Sequence, residues 1–338
     1  MQNFGITCMV IPEISAQERS ITKVELTMAQ SNLLKDQESD RHVAAIRAHR
    51  PGLDVDRTYD MLKRFYSPND IYIVVDETKN KKFSWNDDYN LVMFNESSLA
   101  ELSLHVPSGK VGWLCGDYFY ICLKEAVDFD YALLIEPDVA VNFDFNEILS
   151  EIKSRTVDLV GAGILERDKS WSWYQSMAQT GHDRVHSVFY PLTRMSRKLI
   201  DLIHEERIRS SKLFVPGSTL QYPNDEAVTG TVSFESGCSY IDLKSMYPGM
   251  FSHFLWGAKW LYPDVMKNFD SKKVVHPVLE ESQFASYLRQ ELRKNRNSLN
   301  LSKIGTSLWS VEASQYSRWK TFILEELDFL VSDSTFNR

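Results

Sequence analysis

Hydrophobic residues along this chain fall into short uninterrupted runs, and stretches with helical spacing lie between them. The runs Ile71–Val75 and Tyr131–Ile135 are apolar at nearly every position, as expected for strands of a parallel sheet covered on both faces. Residues 56–66 repeat apolar side chains at helical spacing, and residues 117–127 form a further, aromatic-rich helix. Strands that alternate with helices in this way predict an α/β fold.

The same alternation extends over most of the chain. Further strands are predicted at 41–47, 91–94, 159–163, 187–192 and 274–275, and further helices at 97–104, 145–154, 196–209 and 314–331. We divide the chain into an N-terminal segment (1–40), an α/β domain (41–280) and a helical C-terminal extension (281–338). The N-terminal segment is polar, and part of residues 12–40 is predicted to form a surface helix. The α/β domain is divided near residue 165 into two halves.

Composition and charge narrow the class of protein. The 338 residues are 43% hydrophobic and 25% charged, which is enough to build a sizeable core. The formal net charge of -8 argues against a nucleic-acid binder, because binding phosphates requires a basic surface. The sequence shows neither a basic leader nor an apolar run of about 18 residues. Together with four cysteines outside any CxxC pair, these features predict a cytoplasmic protein with reduced thiols.

The apolar run that ends at Ile135 is followed by Glu136-Pro137-Asp138. Side chains of a strand alternate between its faces, so Glu136 and Asp138 are expected to project to the same side. Two carboxylates at a strand end can hold a hard divalent cation such as Mg²⁺ or Mn²⁺. The alternative is a buried strand capped by a polar turn, in which Asp and Pro are common.

Four segments, taken in order, resemble the nucleotide-sugar glycosyltransferases with the GT-A fold. They are the strand that ends at Asp76, the strand that ends in Glu136-Pro137-Asp138, the acidic pair Asp225-Glu226 and the segment Val274-Val275-His276. The resemblance covers residues 41–280. It implies one α/β domain with a mostly parallel central sheet flanked by helices, and a diphosphate donor bound through Mn²⁺ or Mg²⁺.

The same resemblance assigns roles to particular residues. It implies metal binding by Glu136, Asp138 and His276, donor binding by Arg47, Arg50 and Asp76, and proton removal by Asp225 or Glu226. Each role has a plainer alternative: helix capping for the acidic pair, a structural role for the histidine, and surface ion pairs for the donor-side residues. The pair reads Asp-Glu rather than the commoner Glu-Asp, so the base is not assigned between the two. Inversion of the sugar is favoured, and a retaining mechanism is left for the case that neither residue is the base.

Aromatic residues are concentrated in the second half of the domain. Trp171, Trp173 and Tyr174 are candidates for acceptor binding, because sugar rings pack their C–H faces on aromatic planes. Trp256 and Trp260 are interpreted as core residues. A second cluster, of His182, Asp183 and His186, is the weaker metal-site candidate.

The C-terminal extension carries a basic stretch of Arg289, Arg293, Lys294 and Arg296. We interpret it as a solvated helix face, and the alternative is contact with anionic lipid head groups at the inner face of a membrane.

The predicted function is transfer of a sugar from a nucleotide-diphosphate donor to a hydroxyl of a glycan or glycolipid acceptor, in polysaccharide or lipopolysaccharide synthesis. One alternative is a nucleotidyltransferase acting on a sugar phosphate, although a glycine-rich phosphate loop is missing after the first strand. Another is a non-catalytic glycan-binding protein on the same fold.

Overall fold

A mixed β-sheet with helices on both faces organises the chain. The computed structural model describes residues 40–79, 82–214, 221–257, 259–268, 271–294, 307 and 313–332. The predicted surface helix within residues 12–40 lies outside the described residues, and so do Cys8 and Arg296.

Seven of the described strands form the main sheet, and five short strands lie outside it. In chain order the strands are β1 (His42–Ala48), β2 (Ile71–Asp76), β3 (Asn90–Phe94), β4 (Tyr131–Ile135), β5 (Ala140–Val141), β6 (Leu159–Arg167), β7 (Val185–Ser196), β8 (Tyr240–Asp242), β9 (His253–Phe254), β10 (Trp260–Leu261), β11 (Val274–His276) and β12 (Val278–Leu279). The main sheet has the order β3-β2-β1-β4-β7-β6-β8. Within this sheet only the pairings of β7 with β4 and β6 are antiparallel, so the predicted, mostly parallel sheet is confirmed.

Twelve α-helices lie within the described ranges. In chain order they are α1 (Leu53–Leu62), α2 (Glu96–Glu101), α3 (Val111–Leu114), α4 (Gly116–Ala126), α5 (Asn146–Ser154), α6 (Tyr174–Ala178), α7 (Arg197–Ser211), α8 (Asp225–Glu235), α9 (Leu243–Met246), α10 (Tyr262–Asn268), α11 (Glu281–Lys294) and α12 (Ala313–Ser332). None of these helices is long and apolar enough to cross a lipid bilayer.

The two faces of the main sheet bury separate hydrophobic cores. In β4, Ala132 and Leu134 face the core that contains α4, α7 and α8, whereas Leu133 and Ile135 face the core that contains α1 and α5. Successive side chains of a strand point to opposite faces, so both sets of positions must be apolar when both faces are covered. This burial explains the uninterrupted apolar runs in the sequence.

Helix α8 lies unusually close to strand β7, and Gly230 allows the approach. A Cβ atom at Gly230 would lie 2.6 Å from the backbone nitrogen and Cα of Ser187. The Thr231 hydroxyl accepts a hydrogen bond of 3.1 Å from the backbone nitrogen of His186 in the same strand. The position of α8 matters because its first residues are the acidic pair Asp225-Glu226.

The C-terminal helices form a smaller core of their own. Phe284 and Leu288 of α11 are buried with Trp319 of α12 and Leu261 of β10. The predicted helix over residues 314–331 is therefore present, with one residue more at each end. Strand β10 pairs with β12, and this pairing connects the C-terminal helices to the segment that contains His276.

We predict that the substitution Gly230→Ala destabilises the protein by about 1–3 kcal/mol, because the new methyl group meets backbone atoms that cannot rotate away. Helix propensity alone would favour alanine by about 1 kcal/mol, so the sign of the change tests the contact. The measurement is urea unfolding followed by circular dichroism. The control is Gly249→Ala, where a Cβ would have no neighbour within 4 Å. Equal stability of the two variants would contradict the prediction.

Candidate active site

Three predicted site residues lie at the carboxyl ends of adjacent parallel strands. Ile46 of β1 is in register with Ile135 of β4, so Arg47 and Glu136 are the next residues on neighbouring strands. Asp76 ends β2, which pairs with β1 on its other side. Ligands of open α/β sheets bind beyond these strand ends. Sheet register therefore brings the donor-side and metal-side residues together.

His276 reaches the same place through a short antiparallel pairing. Val275 of β11 is in register with Ala140 of β5, and β5 begins two residues after Asp138. The backbone nitrogen of Val278 also donates a hydrogen bond of 2.8 Å to the carbonyl oxygen of Asp138. The pairing therefore places His276 beside the acidic motif, although the two residues are 138 positions apart in the sequence.

The acidic motif lies in a turn and not, as predicted, at the end of the strand itself. Strand β4 ends at Ile135, and Glu136 to Val139 form a turn in which the Val139 nitrogen donates to the Glu136 carbonyl oxygen at 3.1 Å. The turn, rather than strand alternation, brings the carboxylates of Glu136 and Asp138 to one side. Proline fits such a turn because its φ is already restricted.

Glu136, Asp138 and His276 offer one ligand atom each within 4.8 Å of one another. His276 Nε2 lies 3.6 Å from Asp138 Oδ1 and 3.9 Å from Glu136 Oε2. Asp138 Oδ1 is buried and has no hydrogen-bond partner among the described residues. A buried oxygen without a partner is costly, so two carboxylates and an imidazole in this arrangement fit a divalent cation such as Mn²⁺.

The ionisation of this group is consistent with metal binding. Burial raises the pKa of Asp138 to about 6, although the Lys259 and Arg47 cations partly counteract the effect. Burial also lowers the pKa of His276 to about 4. The imidazole is therefore neutral at physiological pH, which is the form that binds metals.

The acidic pair opens α8, as predicted, but its two carboxylates have different surroundings. Asn224 caps the helix by accepting a hydrogen bond of 3.1 Å from the backbone nitrogen of Ala227. Asp225 Oδ2 accepts a bond of 2.8 Å from the backbone nitrogen of Gly116 and lies 3.6 Å from Arg47 Nη1. Asp225 Oδ1 accepts a bond of 2.9 Å from the backbone nitrogen of Glu226. Both oxygens of Asp225 are therefore engaged by the protein.

Glu226 has no ion pair among the described residues. Its Oε1 accepts a long hydrogen bond of 3.4 Å from Trp256 Nε1. Burial and the charge of Asp225 raise the pKa of Glu226 to about 8, the burial term being the larger. Burial also raises the pKa of Asp225, to about 6. The arrangement leaves Glu226 as the carboxylate of the pair with the stronger tendency to hold a proton near neutral pH.

Arg47 connects the metal group to the acidic pair. Its Nη1 lies 2.7 Å from Glu136 Oε1, its Nη2 donates to the carbonyl oxygen of Gly112, and its guanidinium lies 5.1 Å from the ring centre of Phe119. A Cβ at Gly116 would overlap both Arg47 and Asp225. The absence of that side chain therefore makes room for the ion pairs.

Two adjoining cavities contain these residues. The first, which we call the donor pocket, has a volume of about 350 Å³. It is lined by Arg47, Arg50, Asp76, Lys79, Glu136 and Asp138 among others. The second, which we call the acid cavity, has a volume of about 130 Å³. It is lined by Arg47, Glu136, His276, Trp173, Asp225, Glu226, Trp256 and others.

Two of the predicted donor residues are held by local contacts as well. Arg50 pairs with Asp54 at 3.0 Å, so its charge is partly neutralised. Asp76 Oδ1 accepts bonds of 2.8 and 2.6 Å from the backbone nitrogen and hydroxyl of Thr78. Arg50 therefore forms the ion pair of the plainer interpretation, whereas Asp76 is buried and bonded to Thr78. Both residues line the donor pocket.

The structure separates the predicted acceptor residues. Trp173 lines the acid cavity, whereas Trp171 stacks against Arg167, with 4.9 Å from its ring centre to the guanidinium. Tyr174 donates a bond of 3.3 Å to the carbonyl oxygen of Asp183. Neither Trp171 nor Tyr174 lines the donor pocket or the acid cavity.

Two tryptophans at the site were not predicted from the sequence. Trp256 was expected in the core, but it is 60% exposed and lines the acid cavity. Trp113 is 53% exposed and lies 5.4 Å from Trp173 between ring centres. The sequence offered one signal for the exposure of Trp113. This residue lies between Gly112 and Gly116, on a segment too short to bury its side chain.

The second candidate metal cluster is not formed. His182 pairs with Glu235 at 2.7 Å and with Glu206 at 3.3 Å, and the ring of His186 stacks on Phe234 at 3.6 Å. Within the described residues, the metal-ligating group of three is that of Glu136, Asp138 and His276.

A buried ion pair holds the loop in front of the acidic pair. Arg207 and Asp117 are both fully buried, with 2.5 Å between Arg207 Nε and Asp117 Oδ2. Arg207 also donates bonds of 2.7 Å to the carbonyl oxygen of Pro223 and 3.3 Å to that of Leu114. These bonds tie together the start of α4, helix α7 and the residues before α8.

Comparisons with known proteins give only distant structural similarities. No family model matches the chain, and no curated protein matches it in sequence. A mannosyltransferase from Pyrobaculum calidifontis, in complex with GDP-Man and Mn²⁺, is 12% identical with a TM-score of 0.35, over 88% of this chain and 71% of that one.

Two further solved structures are similar at the same level. Glucosyl-3-phosphoglycerate synthase from Mycobacterium tuberculosis, with Mg²⁺ and UDP, is 11% identical with a TM-score of 0.30, over 49% of this chain and 58% of that one. An inositol-1-phosphate CTP transferase from T. maritima is 10% identical with a TM-score of 0.32, over 60% and 86%. Such values assign no residue role and no reaction to this chain.

We predict that Arg207→Met destabilises the protein by about 3–5 kcal/mol, because it leaves the buried Asp117 carboxylate without its cation. The double variant with Asp117→Asn should recover part of this loss, since no buried charge remains. The control is Arg155→Met, which removes an ion pair with Glu151 whose side chains are 50% and 35% exposed. That change should cost at most about 1 kcal/mol. Urea unfolding measures all three, and a loss at Arg207 no larger than at Arg155 would contradict the prediction.

Proposed function

We propose that this protein is a metal-dependent glycosyltransferase that moves a sugar from a nucleotide-diphosphate donor to an acceptor hydroxyl. One observation carries the proposal: two of the three candidate metal ligands and a buried carboxylate that has no ion pair among the described residues line the same cavity. Glu136, His276 and Glu226 all line the acid cavity. Sugar transfer requires a cation that neutralises the negative charge of the leaving diphosphate and a base that removes the proton of the acceptor hydroxyl. These two groups must lie close together.

The donor pocket suits a nucleotide diphosphate. Its volume of about 350 Å³ lies within the range of small-ligand sites. Arg47, Arg50 and Lys79 line it, and arginine matches the forked geometry of phosphate oxygens. Asp76, at the end of β2, can accept hydrogen bonds from sugar hydroxyls or base nitrogens. The donor is therefore placed with its phosphates near Glu136 and Asp138.

Glu136, Asp138 and His276 would hold the metal. When bound, Mn²⁺ or Mg²⁺ supplies positive charge that stabilises the leaving diphosphate. Arg47 adds a fixed cation between Glu136 and Asp225, and it keeps Glu136 oriented whether or not a donor is present. The donor set of two carboxylates and a neutral imidazole suits Mn²⁺ at least as well as Mg²⁺.

Glu226 is the proposed general base. Both oxygens of its neighbour Asp225 are bonded to the protein, and those of Glu226 are not held by any cation among the described residues. Asp225 is therefore assigned a positioning role. A base on the acceptor side, opposite the leaving diphosphate, corresponds to a single displacement and to inversion at the sugar.

The acceptor is placed against the aromatic residues of the acid cavity. Trp173 and Trp256 line it together with Trp113, and flat aromatic faces suit the C–H faces of a sugar ring. This replaces the predicted set of Trp171, Trp173 and Tyr174, of which Trp173 alone is kept at the cavity.

A nucleotidyltransferase is the alternative on the same sheet. Its nucleophile is a sugar phosphate, whose second pKa is about 6, so it is already ionised at neutral pH and needs no general base. The buried Glu226 therefore favours transfer to a hydroxyl. The two reactions differ in their products: release of a nucleoside diphosphate supports the glycosyltransferase, and release of pyrophosphate supports the alternative.

We predict that Asp138→Asn weakens Mn²⁺ binding by about 100-fold or more. Loss of a residue that only hydrogen-bonds to a metal ligand already weakens binding by about 10- to 100-fold, and loss of a direct ligand should have a larger effect. Wild-type protein should melt at a higher temperature with Mn²⁺ and a suitable nucleotide sugar, because ligands that bind only the folded state stabilise it. A thermal-shift panel of nucleotide sugars with and without Mn²⁺ measures both effects. The control is Asp128→Asn, whose side chain is 92% exposed. An unchanged Mn²⁺ shift in the Asp138 variant, or full activity of the wild type in EDTA, argues against the metal site.

We predict that Glu226→Gln lowers kcat by about 10²–10⁴-fold while nucleotide-sugar binding is retained. Since the pKa of Glu226 is raised to about 8, the ionised, proton-accepting form increases as the pH rises through 8. The wild-type rate should therefore rise with pH over that range and level off above it. The measurement is nucleoside diphosphate release between pH 6 and 9.5, using a donor found in the thermal-shift panel.

The matched control for this experiment is Glu235→Gln, which changes the same type of side chain at the other end of α8. It should leave both the rate and the pH profile unchanged. If Glu226→Gln keeps the wild-type rate, or if the product retains the anomeric configuration of the donor, the assignment of Glu226 as base is wrong.

A further inference from the structure

A long groove runs beside the donor pocket, along one face of helix α11. Its volume is about 960 Å³, which exceeds the needs of a single diphosphate. The loop Arg50–Asp54 forms one wall, and α11 forms the other. Lys259 and Leu279 also line it.

The sequence of α11 explains why this face is polar. Ser282, Ser286, Arg289 and Arg293 are spaced by four, three and four residues, which places them in one row along a helix. The opposite face buries Phe284, Leu288 and Leu292 against α12. Because the apolar face is fixed in the smaller core, the row of serines and arginines must line the groove.

The groove concentrates positive charge in a chain whose formal net charge is -8. Arg50, Lys259, Arg289 and Arg293 line it, against the carboxylates of Asp54 and Glu280. Both carboxylates already have partners: Asp54 pairs with Arg50 at 3.0 Å, and Glu280 pairs with Arg57. Arg289 in turn pairs with Glu326 of α12 at 2.5 Å. With these partners counted, the groove lining and the residues paired to it still carry five cations and three carboxylates. A ligand in the groove therefore meets an excess of positive charge together with hydroxyl and amide donors.

The groove and the donor pocket adjoin each other. Arg50, Asp54, Leu279 and Gln283 line both of them. Gln283 Nε2 donates a bond of 2.9 Å to Asp54 Oδ2, and this bond fixes the junction between the two. A ligand held at the metal group would reach the groove past these shared residues.

We propose that the groove binds a second anionic group, a phosphate or a carboxylate, of a substrate that also occupies the neighbouring pocket. Anion binding itself depends only on the groove, whereas the identity of the substrate rests on the proposed function. The group belongs either to the nucleotide of the donor or to an anionic acceptor. Either source presents the same chemistry to Arg289 and Arg293.

The first experiment measures binding of inorganic pyrophosphate by calorimetry in EDTA, so that metal-mediated binding is removed. The double variant Arg289→Gln/Arg293→Gln should weaken this binding by about tenfold or more, since it removes two charge-assisted contacts. Gln290→Glu, which adds a carboxylate to the groove, should weaken it as well and tests the same site without removing an ion pair. The matched control, Arg155→Gln/Arg184→Gln, removes two exposed arginines that pair with Glu151 and Glu166. Its pyrophosphate affinity should equal that of the wild type.

The second experiment distinguishes the two sources of the anion. Nucleoside diphosphates are titrated with Mn²⁺ present, using the same variants. If their affinity falls with that of pyrophosphate, the groove serves the donor; if it is unchanged, the groove serves an anionic acceptor. The proposal is overturned if wild-type protein in EDTA does not bind pyrophosphate, or if the groove variants bind it as well as the control. Donor binding with Mn²⁺ in that case would leave the proposed function intact.

Discussion

The ion pairs of Arg47 hold the candidate site together. The guanidinium is buried at the end of the central strand β1, 2.7 Å from Glu136 and 3.6 Å from Asp225. These two carboxylates come from opposite halves of the α/β domain, one after β4 and one at the start of α8. Without the cation between them, the buried carboxylate of Asp225 and the part-buried carboxylate of Glu136 would repel each other, and keeping both ionised would carry a large cost. The distance between the metal group and the acidic pair therefore depends on Arg47, and on Gly116 having no side chain in its way.

This constraint explains why two adjacent acidic residues can have different chemistry. Asp225 pairs with Arg47, as Glu136 does, and accepts two hydrogen bonds from backbone N–H groups. Its negative charge is therefore already stabilised by contacts within the fold. Glu226 is one residue further along α8, lines the acid cavity and accepts a hydrogen bond from the indole of Trp256, with no ion pair among the described residues. A carboxylate that is buried but not neutralised is unfavourable for stability, and proteins keep such groups mainly where they serve a function. The sequence could not separate the two residues because both open the same helix turn, and only the partners that surround them differ.

Most strands and helices, and the site residues at the strand ends, could be predicted from the sequence, for a common reason. Parallel strands covered on both faces are recognisable as apolar runs, and their carboxyl ends must meet at one edge. Arg47, Asp76 and Glu136 follow from that rule. The placement of His276 depended instead on a family resemblance, since β11 reaches Asp138 through a pairing with β5 that no local pattern indicates.

Strand β7 extends from 185 to 196 rather than from 187 to 192, because polar residues such as Thr193 and Arg194 find partners inside the protein. Trp256 was misassigned because exposure is decided by the surrounding fold and not by residue type.

The charge distribution relates these features to one another. A chain with a formal net charge of -8 repels anions at long range, but at physiological ionic strength charges are screened beyond about 8 Å. The cations within that distance of a ligand therefore decide whether an anion binds. Arg47 and Lys79 lie in the donor pocket and Arg293 in the adjoining groove, while the carboxylates beside them are paired or belong to the metal group. A metal held by Glu136 and Asp138 would complete this pattern, because it converts the strongest local concentration of negative charge into a site for phosphate. Without the metal, Glu136 and Asp138 would present their negative charge to an anionic substrate. The same two side chains would therefore favour binding when the metal is bound and oppose it when the metal is removed.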